Sequence, residues 1–220
     1  VDELEPLRTE NFSREAFCLA HDLNLNQPII AILAGSRKAE VMGNLPIMLD
    51  AAIRFTCHQV VIAGAPGLSA DFYQPILDRF RAVPPVKIVF GETYDLLRSA
   101  QVAAVTSGTA TLETAFLNVP QVVCYQFRGG KLAYKIMEFA LRRIRYVSLV
   151  NLLLDSPAVV ELLGPYLTAN RLYAELSRIE DDCADRRAML AEYERMRTIL
   201  GAPGAPERAA DAIVRFLKNK

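Results

Sequence analysis

From Pro28 onward, short apolar runs alternate with stretches whose apolar side chains recur at helical spacing. Ile29 to Leu33 is an unbroken apolar run of strand length, Ala34-Gly35-Ser36-Arg37 is a polar turn, and Asn44 to Phe55 reads as a helix with Pro46 in its first turn. The pattern repeats as a strand from Gln59 to Ala63, a Gly-Pro loop and a helix from Ser69 to Arg81, then as a strand from Val86 to Phe90 and a helix from Tyr94 to Ser99. Gln101 to Val105 is a fourth strand, Thr106-Ser107-Gly108-Thr109 a turn of small side chains, and Ala110 to Leu117 a helix stopped by Pro120. Val122 to Tyr125 is the fifth strand. Strands separated by helices predict an α/β fold built on a doubly wound parallel sheet, whose ligands bind beyond the carboxyl ends of the strands. The turns at 34–37, 91–93 and 106–109 all lie at that edge.

Outside the alternation the spacing is helical. Phe12 to Leu23 fits a lead-in helix capped by Asn11 or Ser13, with Phe17, Ala20 and Leu23 as its apolar stripe. Gly129 to Arg145 carries Leu132, Ile136, Ala140 and Ile144 on one stripe, with Lys131, Lys135, Arg142 and Arg145 on another face and Arg143 adding charge. Ser156 to Leu163 and Leu172 to Leu200 read as helices, and residues 201–206 break the chain before a last amphipathic helix from Glu207 to Leu217. The expected organisation is a lead-in over 1–27, one domain over 28–200 and a terminal helix over 201–220.

Composition narrows the picture. The 220 residues include 25 basic and 25 acidic side chains and are 52% apolar, enough for one substantial core and too balanced for a general nucleic-acid binder. No run reaches the roughly 18 apolar residues that span a bilayer, and the first ten residues lack a signal-peptide pattern, so a cytoplasmic chain is expected. The four cysteines, Cys18, Cys57, Cys124 and Cys183, have no metal-ligand spacing and only two histidines accompany them. Neither a disulfide framework nor a metal site is expected, and the cysteines read as buried small hydrophobes.

The candidate chemistry sits on the ligand edge. Ser107, Gly108, Thr109 and Ala110 join a strand to a helix, and the N–H groups of such a helix start suit a phosphate or pyrophosphate; the same small residues also permit tight packing alone. Glu113, one turn into that helix, either accepts hydrogen bonds from a ribose or complements the helix dipole. Gly35, Ser36 and Arg37 follow the first strand on the same rim, where Arg37 either forks onto phosphate oxygens or is a surface arginine. Glu92 and Tyr94 either border a nucleobase or cap a helix. The basic face of 131–145 meets an anionic membrane surface, binds a phosphorylated ligand or is simply solvated. Asn151, in Ser148-Leu149-Val150-Asn151-Leu152-Leu153, is a ligand contact or a buried turn residue.

Three segments together, Ala34-Gly35-Ser36-Arg37, Ser107-Gly108-Thr109-Ala110 with Glu113, and Tyr146 to Leu152, resemble the carboxyl-terminal half of lipid-A-disaccharide synthase. The resemblance runs from about Pro28 to the final helix. Its serine-glycine-threonine turn with a following glutamate is shared by many glycosyltransferases built from two facing Rossmann-like domains. The GSR and SLxNL segments are more specific. The resemblance implies transfer of 2,3-diacylglucosamine from its UDP donor to 2,3-diacylglucosamine 1-phosphate, with inversion, release of UDP and no tightly bound metal or other cofactor. It implies that Ser107, Gly108, Thr109 and Ala110 hold the pyrophosphate, Glu113 the ribose, Arg37 a phosphate or the departing UDP, and Asn151 part of the donor site. The general base is then expected in an amino-terminal acceptor half, which is expected to be absent from these 220 residues. Many members carry proline where this chain has Ala34 and Val150. Expected partners are the UDP-diacylglucosamine donor, the lipid acceptor, the inner face of the inner membrane as a peripheral surface, the amino-terminal half of the enzyme if it is separately encoded, and a second copy of the chain. The alternatives are another UDP-sugar transferase or epimerase domain, and a non-catalytic nucleotide-binding module.

Overall fold

Apolar runs without a polar face are stable only when covered on both sides, which a parallel sheet between helices provides. Accordingly β1 (Ile29–Leu33), β2 (Gln59–Gly64), β3 (Lys87–Phe90), β4 (Val102–Thr106), β5 (Gln121–Tyr125) and β6 (Val160–Leu163) pair in the order β3-β2-β1-β4-β5-β6, every neighbour parallel. The computed structural model describes residue 6 and residues 11–80, 85–126, 145–201 and 204–218.

Side chains alternate across the strands and so divide the core into two layers. Ile30, Ile32, Ile62 and Ala104 face one layer with Val41, Leu45 and Met48 of α2 (Lys38–Ala52), Tyr73 and Ile76 of α3 (Ala70–Leu77), Leu172 and Leu176 of α7 (Ala169–Ser177), and Met196 of α8 (Ala184–Leu200). Ile29, Ala31, Leu33, Val61 and Val105 face the other with Phe17 and Cys18 of α1 (Arg14–Ala20) and Leu96 and Leu97 of α4 (Thr93–Ser99). The chain moves outward from β1 to β3, returns to β4 beside β1, and continues through α5 (Thr109–Phe116) to β5, α6 (Leu149–Leu154) and the edge strand β6. That reversal opens a crevice at the carboxyl ends of β1 and β4.

Buried Asn44 of α2 ties this end of the sheet together. Its Nδ2 donates to the Ala34 carbonyl after β1 at 3.3 Å and to Thr106 Oγ1 at the end of β4 at 3.0 Å, while its Oδ1 accepts the Gln126 N–H beyond β5 at 2.8 Å. At the far end of α5, the buried Arg197 guanidinium donates to the Ala115 and Phe116 carbonyls and to Asn118 Oδ1, taking up helix-end acceptors that have no partner within the helix.

Several expectations are corrected. Helix α2 begins at Lys38, not near Asn44, because Glu40 caps its start; Pro46 lies inside it, and the bond it removes is the one to Met42, which is exposed to water. Residues 156–163 do not form a helix: Val160–Leu163 joins the sheet as a sixth strand, paired from Val122↔Val160 to Tyr125↔Leu163. The 172–200 stretch is two helices, α7 and α8, with Cys183 as the cap of the second. The lead-in helix is shorter than expected, Ser13 is its cap, and Ala20 is exposed while Phe17 and Cys18 are buried. Of the cysteines only Cys18 and Cys124 are buried, and burial pushes the Cys124 thiol pKa up; Cys57 is exposed, and Cys183 donates to the Arg178 carbonyl. Helix α9 (Ala205–Lys218) leaves Ile213, Val214, Phe216 and Leu217 exposed.

The Asn44 clasp predicts a measurable loss. Asn44→Ala leaves an N–H and two oxygens at the rim without their partner, a cost of about 1–3 kcal/mol. Urea unfolding should show a lower midpoint with an unchanged m-value; an unchanged midpoint contradicts the clasp.

Candidate nucleotide-binding cleft

The crevice is a cleft of about 440 Å³ lined by the ends of four strands and the turns beyond them: Leu33, Gly35 and Ser36, Ala63 to Pro66, Gly91, Thr93 and Tyr94, and Thr106 to Ala110, with Glu40 and Glu113. This volume suits a small organic ligand.

Its floor is the β4–α5 turn. Gly108 sits at φ 144° and ψ −162°, a conformation essentially restricted to glycine, so the residue type is dictated by the backbone. The turn brings the start of α5 to the cleft lining at Thr109 and Ala110, whose N–H groups have no helical carbonyl before them. Thr111 Oγ1 and Thr114 Oγ1 donate back to the Gly108 and Ala110 carbonyls at 2.8 and 2.7 Å, so these hydroxyls belong to the helix rather than to the cleft. The Ser107 hydroxyl likewise donates to the Val147 carbonyl at 3.2 Å. Glu113 is half-buried in the cleft wall.

The β1 turn is arranged differently. Gly35 has φ 120°, and an added Cβ there would stand 2.6 Å from Glu40 Cβ. The Glu40 carboxylate accepts the Ser36 N–H at 3.1 Å and the Arg37 N–H at 3.4 Å, and pairs with Arg37 Nη1 at 3.0 Å. Arg37 is therefore held on Glu40 with its side chain 82% exposed, outside the lining of the cleft. Among the described residues, the charged side chains that line the cleft are the carboxylates Glu40 and Glu113. Among the described residues, the groups at the floor that suit an anion are the N–H groups and dipole of the α5 start.

The structure brings together Gly35, Ser36, Tyr94, Ser107, Gly108, Thr109, Ala110 and Glu113 in the cleft lining, and Arg37, Glu92 and Asn151 do not line it. Glu92 turns to the lead-in helix, where its carboxylate meets His21 Nε2 at 3.0 Å; its neighbours Gly91, Thr93 and Tyr94 face the cleft instead. Asn151 is buried: its Nδ2 donates to the Val159 carbonyl and Glu161 Oε1, and its Oδ1 accepts the Val159 N–H, each at 2.9 Å. Of its two readings, the structure supplies the buried turn residue. Lys131, Lys135, Arg142 and Arg143 lie outside the described residues; Arg145 is exposed and paired with Asp155 at 3.0 Å. His58 stands by Glu180 at 3.1 Å, remote from the cleft at the start of β2, and burial lowers its pKa. Among the described residues no helix is long and apolar enough to cross a membrane, and no group of three or more His, Cys, Asp or Glu is placed to hold a metal.

Sequence reasoning missed Glu40, Asn44 and the 63–66 wall. The signals were present: an acidic residue three positions after the first turn is a capping-box spacing, and Asn44 is a polar residue on the apolar stripe of its helix. Ala63 to Pro66 contribute mainly backbone; the Ala65 N–H is already taken by the buried Tyr73 hydroxyl at 2.8 Å.

Comparison with known proteins converges. Residues 2–200 match the family described as lipid-A-disaccharide synthetase. The chain is 35% identical over 93% of its length to a lipid-A-disaccharide synthase of Anaeromyxobacter dehalogenans, and 32% identical over 94% to that of Solibacter usitatus. It spans about half the length of these relatives, 53% and 54% respectively. Among solved structures it is similar to WaaG, a glycosyltransferase involved in lipopolysaccharide biosynthesis, with a TM-score of 0.54, 14% identity, and coverage of 91% of this chain and 50% of that one. At that identity the likeness is one of fold alone, a parallel Rossmann-like sheet flanked by helices.

Gly108 separates conformation from crowding. A Cβ added there meets nothing within 4 Å, so the cost of Gly108→Ala is that of holding a non-glycine residue at this φ, about 1–3 kcal/mol. Thermal or urea unfolding of the variant checks this, and an unchanged stability would show that the turn relaxes freely.

Proposed function

The chain belongs to the lipid-A-disaccharide synthetase family, and from that premise we propose that its cleft binds the UDP end of a UDP-2,3-diacylglucosamine donor. In this reading the protein is the donor-binding half of an enzyme that joins that donor to 2,3-diacylglucosamine 1-phosphate and releases UDP. The observation that carries the proposal is the floor of the cleft: a glycine-only turn at the switch point directs the start of α5 at the site, and Glu113 stands one helical turn further on.

The roles follow from geometry. The Thr109 and Ala110 N–H groups take the pyrophosphate oxygens, Glu113 takes the ribose hydroxyls, and the backbone of 63–66 and 91–94 encloses the base. A carboxylate in this wall repels phosphate and attracts a diol, so Glu113 sorts the two ends of the nucleotide. During transfer the departing diphosphate gains charge, and fixed N–H dipoles in the cleft stabilise it more than the intact donor. Arg37 adds to this once it exchanges Glu40 for a phosphate oxygen.

Isothermal titration of the chain with UDP and with inorganic pyrophosphate tests the reading. Glu113→Gln should weaken UDP by about tenfold, the scale of hydrogen bonds to a charged group, and leave pyrophosphate binding equal or tighter. Equal weakening of both ligands contradicts the ribose role, and failure of the unaltered chain to bind UDP overturns the proposed function.

A further inference from the structure

Behind the phosphate turn, a carboxylate on the edge strand gathers three donors. Glu161 of β6 accepts the Val147 N–H at 2.9 Å, the Ser148 N–H at 2.8 Å and Asn151 Nδ2 at 2.9 Å. Residues 145–148 have no regular structure of their own before α6, so this carboxylate fixes where their backbone runs. Val147 in turn presents its carbonyl to the Ser107 hydroxyl at 3.2 Å, one residue before the glycine that directs α5 at the cleft.

We propose that Glu161 is a positioning residue for the phosphate turn, acting through Val147 on Ser107 without touching the ligand. The proposal rests on the reading of 107–110 as a pyrophosphate seat. The chemistry of the group suits the task. An ionised carboxylate only accepts, so it takes three N–H groups that a glutamine, with an amide N–H₂ in place of one oxygen, would partly oppose. Bonds to a charged acceptor are also shorter and stronger than neutral ones, which makes the 147–148 backbone a firm anchor. Ser107 follows β4 directly, so its hydroxyl bond settles the orientation of the turn, and with it the direction of the Thr109 and Ala110 N–H groups. Asn151 belongs to the same device: it holds Glu161 from one side and Val159 from the other, which gives the SLxNL segment a supporting part in the site.

A double-mutant cycle tests this with the full 220-residue chain. Pyrophosphate and uridine affinities are measured for the unaltered protein, Glu161→Gln, Ser107→Ala and the double variant. Each single change should weaken pyrophosphate by about fivefold, the scale of one net hydrogen bond, and leave uridine unchanged. The double variant should be no weaker than the weaker single one, because both changes cut the same link. Additive losses, an unchanged pyrophosphate affinity in Glu161→Gln, or an equal loss for uridine overturns the proposal, since a purely structural edge staple would behave in those ways. If Glu161→Gln does not fold, Glu161→Asp, which keeps the charge and shortens the reach, replaces it in the cycle. Absence of pyrophosphate and UDP binding by the unaltered protein is a different result: it removes the phosphate reading of the cleft, and the positioning role with it.

Discussion

Asn44 holds the carboxyl ends of β1, β4 and β5 at fixed distances from one another, and the β1 and β4 turns of the cleft are hung from two of those ends. Parallel strands do not fix their own termini: hydrogen bonding along the ladder stops where the strands stop, and the turns beyond are free to splay. One amide with donors and an acceptor on the same planar group closes three of them at once. The position is on α2 because that helix lies across β1, β4 and β5 on one face of the sheet. A buried polar side chain is costly unless satisfied, and here every atom of the amide is used.

Charge in the site is arranged by internal pairing. Glu40 sits on the β1 turn and keeps Arg37 out in solvent, Glu161 braces the loop behind the β4 turn, and Arg197 caps the far end of α5. The ends of α5 are thus treated oppositely: the carbonyl end is filled by a guanidinium, and the N–H end opens into the cleft. In the proposed function a ligand anion completes what the fold leaves unmatched at that end.

The strands were legible because parallel strands buried on both faces show as continuous apolar runs, as in Ile29–Leu33 and Val102–Thr106. The β4–α5 turn was legible because its glycine is required by the backbone. What escaped depended on contacts between distant residues. Residues 156–163 carry a short apolar run that fits strand or helix, and only pairing with β5 decides it. Arg37 reads either as a phosphate ligand or as a surface arginine and its pairing with Glu40 shows only in the fold, as does the full use of the Asn151 amide by Val159 and Glu161. Glu92 shows the same limit, since its partner His21 is 71 residues away in sequence.

The central claim is that a nucleoside diphosphate lies across the switch point with its phosphates on the start of α5. Amide chemical shifts of ¹⁵N-labelled protein followed during titration with UDP test this directly. The account predicts saturable shifts at the Thr109 and Ala110 N–H groups and along 91–94, with the buried Asn151 backbone and His58 little affected. Saturable shifts confined to other parts of the chain, with Thr109 and Ala110 unmoved, would contradict it.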